Sequence, residues 1–306
     1  MRPRLSTLSL TERRDEAADQ LDLVITDEDG RMALPKTGAI IELELGWRGG
    51  LLVPKGRFKV DQVGHRGAPD TISIKARSAD FTAAFRKRRN GSWRGKSLGQ
   101  VLQEVAGRNG LRPSIAPALA ALPLQLVDQS RESDAALLSR LGREHGAVAT
   151  VKNGSLVFAP IGAGTTASGA TLPGFEIRRR DGDQHDYQTA ERGSYDGVEA
   201  SWHDDDSGET NTVSVGGGDN AKRLRRTYAS EASARRAATT EQSRIAREKA
   251  KFRYALALGR PELYPEQKGK VLGIKPEIEA TTWIIDQLVH TLGEGLTTSI
   301  EFEAAT

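Results

Sequence analysis

The chain has 306 residues, and its 44 Lys and Arg nearly balance its 41 Asp and Glu, giving a formal net charge of +3. This length suits two or three domains. The small net charge is not typical of a dedicated nucleic-acid-binding protein, which would concentrate a larger basic excess on one face. The lack of cysteine excludes disulfides, thiol catalysis and cysteine-ligated zinc. No apolar run approaches the roughly 20 residues of a membrane helix, so a membrane is not an expected partner. Because of the small net charge, specific nucleic acid is not an expected partner either.

Residues 1–78 are predicted to form a first barrel-like β domain. Apolar and polar residues alternate there in short stretches, and a period of two buries one face of each strand. The apolar positions are Leu21, Leu23, Ile25, Ile41, Leu43, Leu45, Phe58, Val60, Ile72 and Ile74. Turn-forming residues at 27–30, 49–50 and 67–70 separate the stretches, as in a small barrel or sandwich.

Residues 79–160 are predicted to form a small α+β module. Ser97 and Gln100 have the spacing of a capping box at the start of a helix. The apolar residues that follow at helical spacing are Leu98, Val101, Leu102 and Val105. A second helix is predicted from Ser133 to a stop at Gly146, and Asn153-Gly154 between two apolar runs predicts a hairpin.

A small-residue linker at 161–173 leads to a second barrel-like β domain at 174–306. The predicted strands are Phe175–Arg179, Gly197–Trp202, Thr210–Val215, Phe252–Ala257, Gly269–Ile274, Trp283–His290 and Thr297–Phe302. A helical insertion at 229–250 interrupts them, and its apolar face is mostly alanine, which indicates light packing on a surface. The predicted fold class is therefore mainly β (α+β), with two barrel-like β domains linked by a small α+β module.

The sequence predicts no catalytic, metal or cofactor-binding site. Gly95-Lys96-Ser97 looks like the end of a phosphate-binding loop, but Asn90 stands where that loop needs its first glycine. The segment from His203 to Gly208 lacks the bidentate glutamate of a calcium loop and is interpreted as a solvated turn. A hydrolase stays open as an alternative, because any two carboxylates can meet in space.

Three basic clusters lie at 86–94, 178–180 and 222–226. Acidic residues follow or balance each cluster, so ordinary loop charge or pairing with an acidic protein partner is the favoured interpretation. Binding to phosphate backbones at low salt is the alternative, and a nucleic-acid-binding regulator is the function that it would suit.

Several ordered sequence words span nearly the whole chain. They are S-L-T-E-R-R at 9–14, P-D-T-I-S-I-K-A-R-S-A-D at 69–80, S-W-R-G-K-S-L-G at 92–99, R-E-S-D-A-A-L-L-S-R-L-G-R-E-H-G-A-V at 131–148, V-E-A-S-W-H-D at 198–204 and L-G-R-P-E-L-Y-P-E at 258–266. In these words and their order the chain resembles the phage tail-hub family known as late control gene D protein.

The resemblance implies a structural protein of a contractile phage tail or a related injection particle, without catalytic residues or cofactors. Such hubs form a homotrimer that joins the tail tube to a trimeric tail spike, and they contact other baseplate proteins. The resemblance thus implies a location in the virion or injection particle, after assembly in the host cytoplasm. Family members usually carry further residues before the segment that matches 2–10, including a first strand. The first barrel is therefore expected to lack that strand and to expose an unpaired edge.

Trp202 and Trp283 are the predicted residues of a partner interface. A three-fold ring needs a heterologous, closing contact, and strand edges near Gly197–Trp202 and Trp283–His290 are expected to lie close to it. A core position is the alternative for both tryptophans, because large aromatic side chains anchor barrels as readily as interfaces.

Overall fold

The computed structural model describes residues 4–14, 18–78, 83–166, 170–189, 195–204 and 207–305. The strands are β1 (Leu5–Arg13), β2 (Gln20–Thr26), β3 (Ile40–Leu45), β4 (Val53–Arg66), β5 (Thr71–Ser78), β6 (Arg88–Arg94), β7 (Arg112–Ile115), β8 (Leu126–Ser133), β9 (Ala147–Lys152), β10 (Ser155–Pro160), β11 (Phe175–Arg178), β12 (Gly182–Thr189), β13 (Gly197–His203), β14 (Thr210–Gly216), β15 (Ala221–Tyr228), β16 (Ala250–Leu256), β17 (Lys268–Leu272), β18 (Trp283–Leu292) and β19 (Leu296–Ala304). The helices are α1 (Ala83–Arg86), α2 (Leu98–Arg108), α3 (Pro117–Ala120), α4 (Asp134–His145), α5 (Glu231–Glu248) and α6 (Pro276–Ala280). Among these described helices, none is long and apolar enough to cross a membrane.

The two predicted β regions share one sheet. Its strand order is β12-β16-β19-β18-β1-β2-β5-β4-β3. In addition, β17 pairs with β18, and β11 pairs with β17. The link between the regions is the antiparallel pair β1–β18, in which Leu8 lies opposite Leu292 and Arg13 opposite Gln287. The predicted mainly β fold is confirmed, and in the described part of the chain the sheet does not close into barrels but is open and runs from β12 to β3.

Each β region nevertheless keeps its own apolar core, as the period-two alternation predicts. On β2, for example, Leu21, Leu23 and Ile25 are buried while the residues between them are half-buried. The first core contains Leu8, Leu10, Leu43, Leu45, Phe58, Val60, Ile72, Ile74 and Ala76 together with those three β2 residues. The second core is aromatic and contains Phe175, Phe252, Tyr254, Trp283 and Phe302.

Local elements predicted for residues 79–160 are present in the structure. The Ser97 side chain accepts from the Gln100 N–H, and the Gln100 side chain accepts from the Ser97 N–H, so the capping box is confirmed. Ser133 caps α4, and Gly146 ends that helix in the left-handed conformation with φ 61°. Asn153 and Gly154 both have positive φ, as the tight turn between β9 and β10 requires.

Within the predicted insertion at 229–250 the structure has α5, which is capped by Ser230 and buries Ala234, Ala238 and Ile245. Those residues pack on a separate sheet with the order β14-β13-β15. Two predicted strands of the second barrel, β13 and β14, therefore lie outside the main sheet. The sequence missed β12 and β15 because most of their residues are polar and half or fully exposed, so neither shows a clear apolar alternation.

Candidate assembly interface

Buried charges join the two β regions of the chain. The Lys55 ammonium from β4 is fully buried and lies 2.7 Å from Glu12 Oε2 on β1 and 3.1 Å from the Leu263 carbonyl. His290 Nε2 on β18 is 3.2 Å from the same Glu12 oxygen, and His290 Nδ1 is 2.8 Å from Thr298 Oγ1. We name Glu12, Lys55 and His290 the buried triad. Burial favours the neutral acid, but His290 and Lys55 hold the pKa of Glu12 below its usual value.

A second group of charges surrounds Arg14 at the end of β1. Its Nη2 lies 2.6 Å from an oxygen of Asp286 and 2.5 Å from Glu303 Oε2, and its Nη1 lies 3.5 Å from Glu266 Oε1. Glu266 also accepts from the Gly162 N–H at 2.6 Å, so the segment that follows the module is tied to the same group. Buried ion pairs of this kind add little net stability, because the cost of removing the charges from water offsets much of their attraction.

Buried His290 and half-buried His145 both have pKa values below the usual one. Burial lowers the pKa of His290, and burial together with the nearby Arg236 guanidinium lowers the pKa of His145 to about 4. The folded chain therefore holds both imidazoles neutral at pH values where the unfolded chain, with a histidine pKa of about 6.5, is protonated.

We expect the chain to lose stability as the pH falls from about 6.5 to about 4. The unfolded state takes up the His145 proton first, so the free energy of unfolding should fall by about 2 kcal/mol between pH 7 and pH 5 through this residue. Urea denaturation at both pH values, compared between the wild type and His145→Gln, isolates that contribution. The pKa values of buried Asp19 and Glu266 are raised, so these two carboxyl groups make the folded chain more stable as the pH falls. Both groups are present in the wild type and in His145→Gln, so their contribution cancels when the two proteins are compared.

His65→Gln is the control, because that side chain is 42% exposed. An equal pH dependence in His145→Gln and the wild type would contradict the assignment to His145.

The β3 edge is the open margin of the first β region. Among the described residues, β3 has β4 as its single strand neighbour, so one row of its backbone groups is unpaired. Glu42 and Glu44 project as exposed residues from this strand, and such charges discourage indiscriminate edge pairing. Next to the edge, Leu5, Leu8 and Ile41 help to line a groove of about 500 Å³.

The hairpin between β3 and β4 and the loop after β16 carry an exposed apolar patch, which we define as Trp47, Leu51, Leu52 and Leu258. Their exposed fractions are 44%, 92%, 46% and 69%. Trp47 Nε1 donates to the Gly259 carbonyl at 2.9 Å, so the hairpin and the loop after β16 form one surface. Clustered exposed apolar side chains of this kind mark protein–protein contact sites.

The model of the family described as phage tail baseplate hub (GPD) matches residues 56–296. The chain is 38% identical over 341 aligned residues to the probable baseplate hub protein of Escherichia phage P2, covering 98% of this chain and 88% of that protein. The corresponding protein of Escherichia phage 186 is 37% identical with the same coverage. The chain belongs to the phage tail baseplate hub family.

Solved structures agree on the tail-hub fold. The 43 kDa tail protein of prophage MuSo2 from Shewanella oneidensis has a TM-score of 0.72 at 16% identity, covering 97% of this chain and 94% of that one. A component of the Escherichia coli type VI secretion system, described as structurally similar to the T4 tail proteins gp27 and gp5, has a TM-score of 0.60 at 14% identity, with coverages of 98% and 73%.

The two predicted interface residues of this hub-family chain occupy different environments. Trp283 is 0% exposed and lies in the aromatic core, which is the alternative position that the sequence left open. Trp202 is half-buried against the small core under α5. Their strands, β18 and β13, each have neighbours on both sides, so the expected strand edges are internal. The large apolar side chains that the structure leaves exposed include those of the apolar patch.

The segments that resemble ligand sites have local structural roles. Lys96 is exposed and lies 2.8 Å from Glu104 Oε2, while Ser97 caps α2. In the segment His203–Gly208, positions 205 and 206 lie outside the described residues, and Ser207 Oγ donates to Asp204 at 2.9 Å. Over the described residues, no group of three or more His, Cys, Asp or Glu side chains could hold a metal ion.

Proposed function

We propose that the chain forms a homotrimeric adaptor between the tail tube and the trimeric tail spike of a contractile phage tail or a related injection particle. It acts as a structural part without catalysis or a cofactor, in contact with other baseplate proteins. It is located in the tail baseplate of the virion and passes through the host cytoplasm during assembly. Family membership supports the baseplate role, and the exposed surface of the first β region supports assembly.

The apolar patch together with the free β3 edge is the observation that carries this proposal. Burying apolar surface at roughly 25 cal/mol per Å² is the main driving force of association, and an unpaired strand edge adds directional backbone hydrogen bonds. A three-fold ring uses two different surfaces of each copy. We propose the patch as one surface, and the strands around Trp202 as a second contact region.

Introducing a charge into the apolar patch should prevent self-association. We expect Leu51→Glu and Leu52→Glu to raise the trimer dissociation constant by about tenfold or more, because a buried unpaired carboxylate opposes the contact. Sedimentation velocity over a concentration series measures this. Leu126→Glu is the matched control, because Leu126 is 47% exposed and Leu52 is 46% exposed. The proposal fails if Leu51→Glu and Leu52→Glu associate as well as Leu126→Glu does.

Electron microscopy of the chain mixed with its spike protein tests the adaptor role. Rings of three copies that cap the spike are the expected image, and persistent single copies under assembly conditions contradict it. A late-gene regulator would instead bind DNA with an affinity that falls steeply with salt. A hydrolase that uses a phosphate loop would lose its turnover in Lys96→Ala.

A further inference from the structure

A long groove separates the α+β module from the inserted helix. Its main part has a volume of about 800 Å³ and lies between residues 123–128, at the start of β8, and residues 226–237 of β15 and α5. At Asp128 and Arg140 it continues into a second depression of about 530 Å³ along the rest of β8. We name the two together the basic groove.

Positive charge predominates in the basic groove. Six arginines and three carboxylates line it: Arg86, Arg88, Arg131, Arg140, Arg226, Arg236, Asp128, Glu132 and Glu144. Arg140 contacts Glu132 at 2.9 Å, and Arg226 contacts Glu144 at 3.5 Å.

The remaining four arginines have no carboxylate within ion-pair distance among the described residues. Of these, Arg236 is half-buried beside His145 and contributes to the lowered pKa of that imidazole. A half-buried guanidinium without a counter-charge is unfavourable, and an anion from outside the chain would relieve it.

The walls of the basic groove suit an extended polypeptide. β8 borders the groove along its length and, within the described chain, pairs with β6 alone. Leu126 offers an apolar contact that is 47% exposed. The opposite wall carries small side chains, including Ala232 and Ala237, that leave room for a main chain. Recognition along a strand edge combines backbone hydrogen bonds with alternate side-chain pockets.

We propose that the basic groove binds an extended acidic segment of another protein, with carboxylates facing the arginines and an apolar side chain on Leu126. A nucleic acid fits less well, because its evenly spaced phosphates would meet Asp128, Glu132 and Glu144. A peptide can instead place neutral residues beside those carboxylates. The proposal concerns a single copy of the chain and goes beyond the trimeric adaptor.

Charge reversal in the groove tests the proposal against a matched control. The variant Arg226→Glu/Arg236→Glu changes two lining residues, and the control Arg225→Glu/Arg235→Glu changes their chain neighbours, which do not line the groove. The probe is a fluorescent decapeptide in which glutamate alternates with leucine and threonine, measured by anisotropy at low salt. A lysine version of the peptide and a ten-nucleotide oligothymidine are the comparison ligands.

We expect the acidic peptide to bind the wild type and the control equally, and the groove variant at least about tenfold more weakly. Leu126→Glu should weaken binding too while leaving self-association intact, which separates this result from a failure of the trimer. The proposal is overturned if the peptide does not bind, if both charge-reversal variants lose binding equally, or if oligothymidine binds more tightly than the peptide.

Discussion

Replacing Trp283 with alanine should lower the free energy of unfolding by about 3–5 kcal/mol, the range for truncating a large buried aromatic side chain. Its ring centroid lies 5.3 Å from that of Phe252 and 6.2 Å from that of Tyr187. Its Nε1 donates to the Ile278 carbonyl at 2.9 Å in a buried site. The substitution therefore removes core contacts and leaves a buried carbonyl without its partner. Urea denaturation followed by far-ultraviolet circular dichroism measures the loss.

Trp202→Ala is the natural comparison, because that side chain is half-buried and packs on a smaller core. It should lower the free energy of unfolding by less than Trp283→Ala does. Sedimentation velocity on both variants also tests the interface prediction made from the sequence. A Trp283→Ala chain of unchanged stability that no longer self-associates would show that Trp283 acts at an interface and not in the core.

Local patterns in the sequence predicted the local structure well. The Ser97–Gln100 capping box, the Asn153-Gly154 turn and the buried face of α5 depend on residues close together in the chain. Their physical determinants, namely hydrogen bonds of helix ends, positive φ and apolar spacing, act over a few residues. They can therefore be derived before any tertiary structure is known.

Long-range pairing was not predictable in the same way. β1 has buried residues on one face, as a strand of a separate barrel also would, so its alternation does not reveal that β18 is its second neighbour. Composition likewise cannot distinguish a buried tryptophan from an interfacial one, because both positions favour large apolar surface. The turn at Gly49-Gly50 did carry a usable signal. Trp47, Leu51 and Leu52 flank it, and a hairpin tip with so much apolar surface is unusual for a solvated turn.

Replacing Lys55 with methionine should lower the free energy of unfolding by about 3–5 kcal/mol, the range for breaking a buried ion pair by removing one partner. The Lys55 side chain is 0% exposed and that of Glu12 is 4% exposed. The substitution leaves the Glu12 carboxylate in a buried site, with the neutral His290 imidazole 3.2 Å away. It also removes the ammonium that lies 4.0 Å from the centre of the Tyr264 ring.

Lys59→Met is the matched control, because Lys59 lies on the same strand but is exposed. The free energy of unfolding of this variant should differ from that of the wild type by less than about 0.5 kcal/mol.

The double variant Lys55→Met/Glu12→Leu should recover at least half of the loss. Replacing both partners of a buried pair with apolar residues of similar size removes the uncompensated charge, which is the reason the single variant is unstable. Equal urea midpoints for Lys55→Met and Lys59→Met would show that Lys55 is not needed to neutralise Glu12. A double variant no more stable than Lys55→Met would show instead that the loss comes from packing at the junction of β1, β4 and β18 and not from the stranded carboxylate.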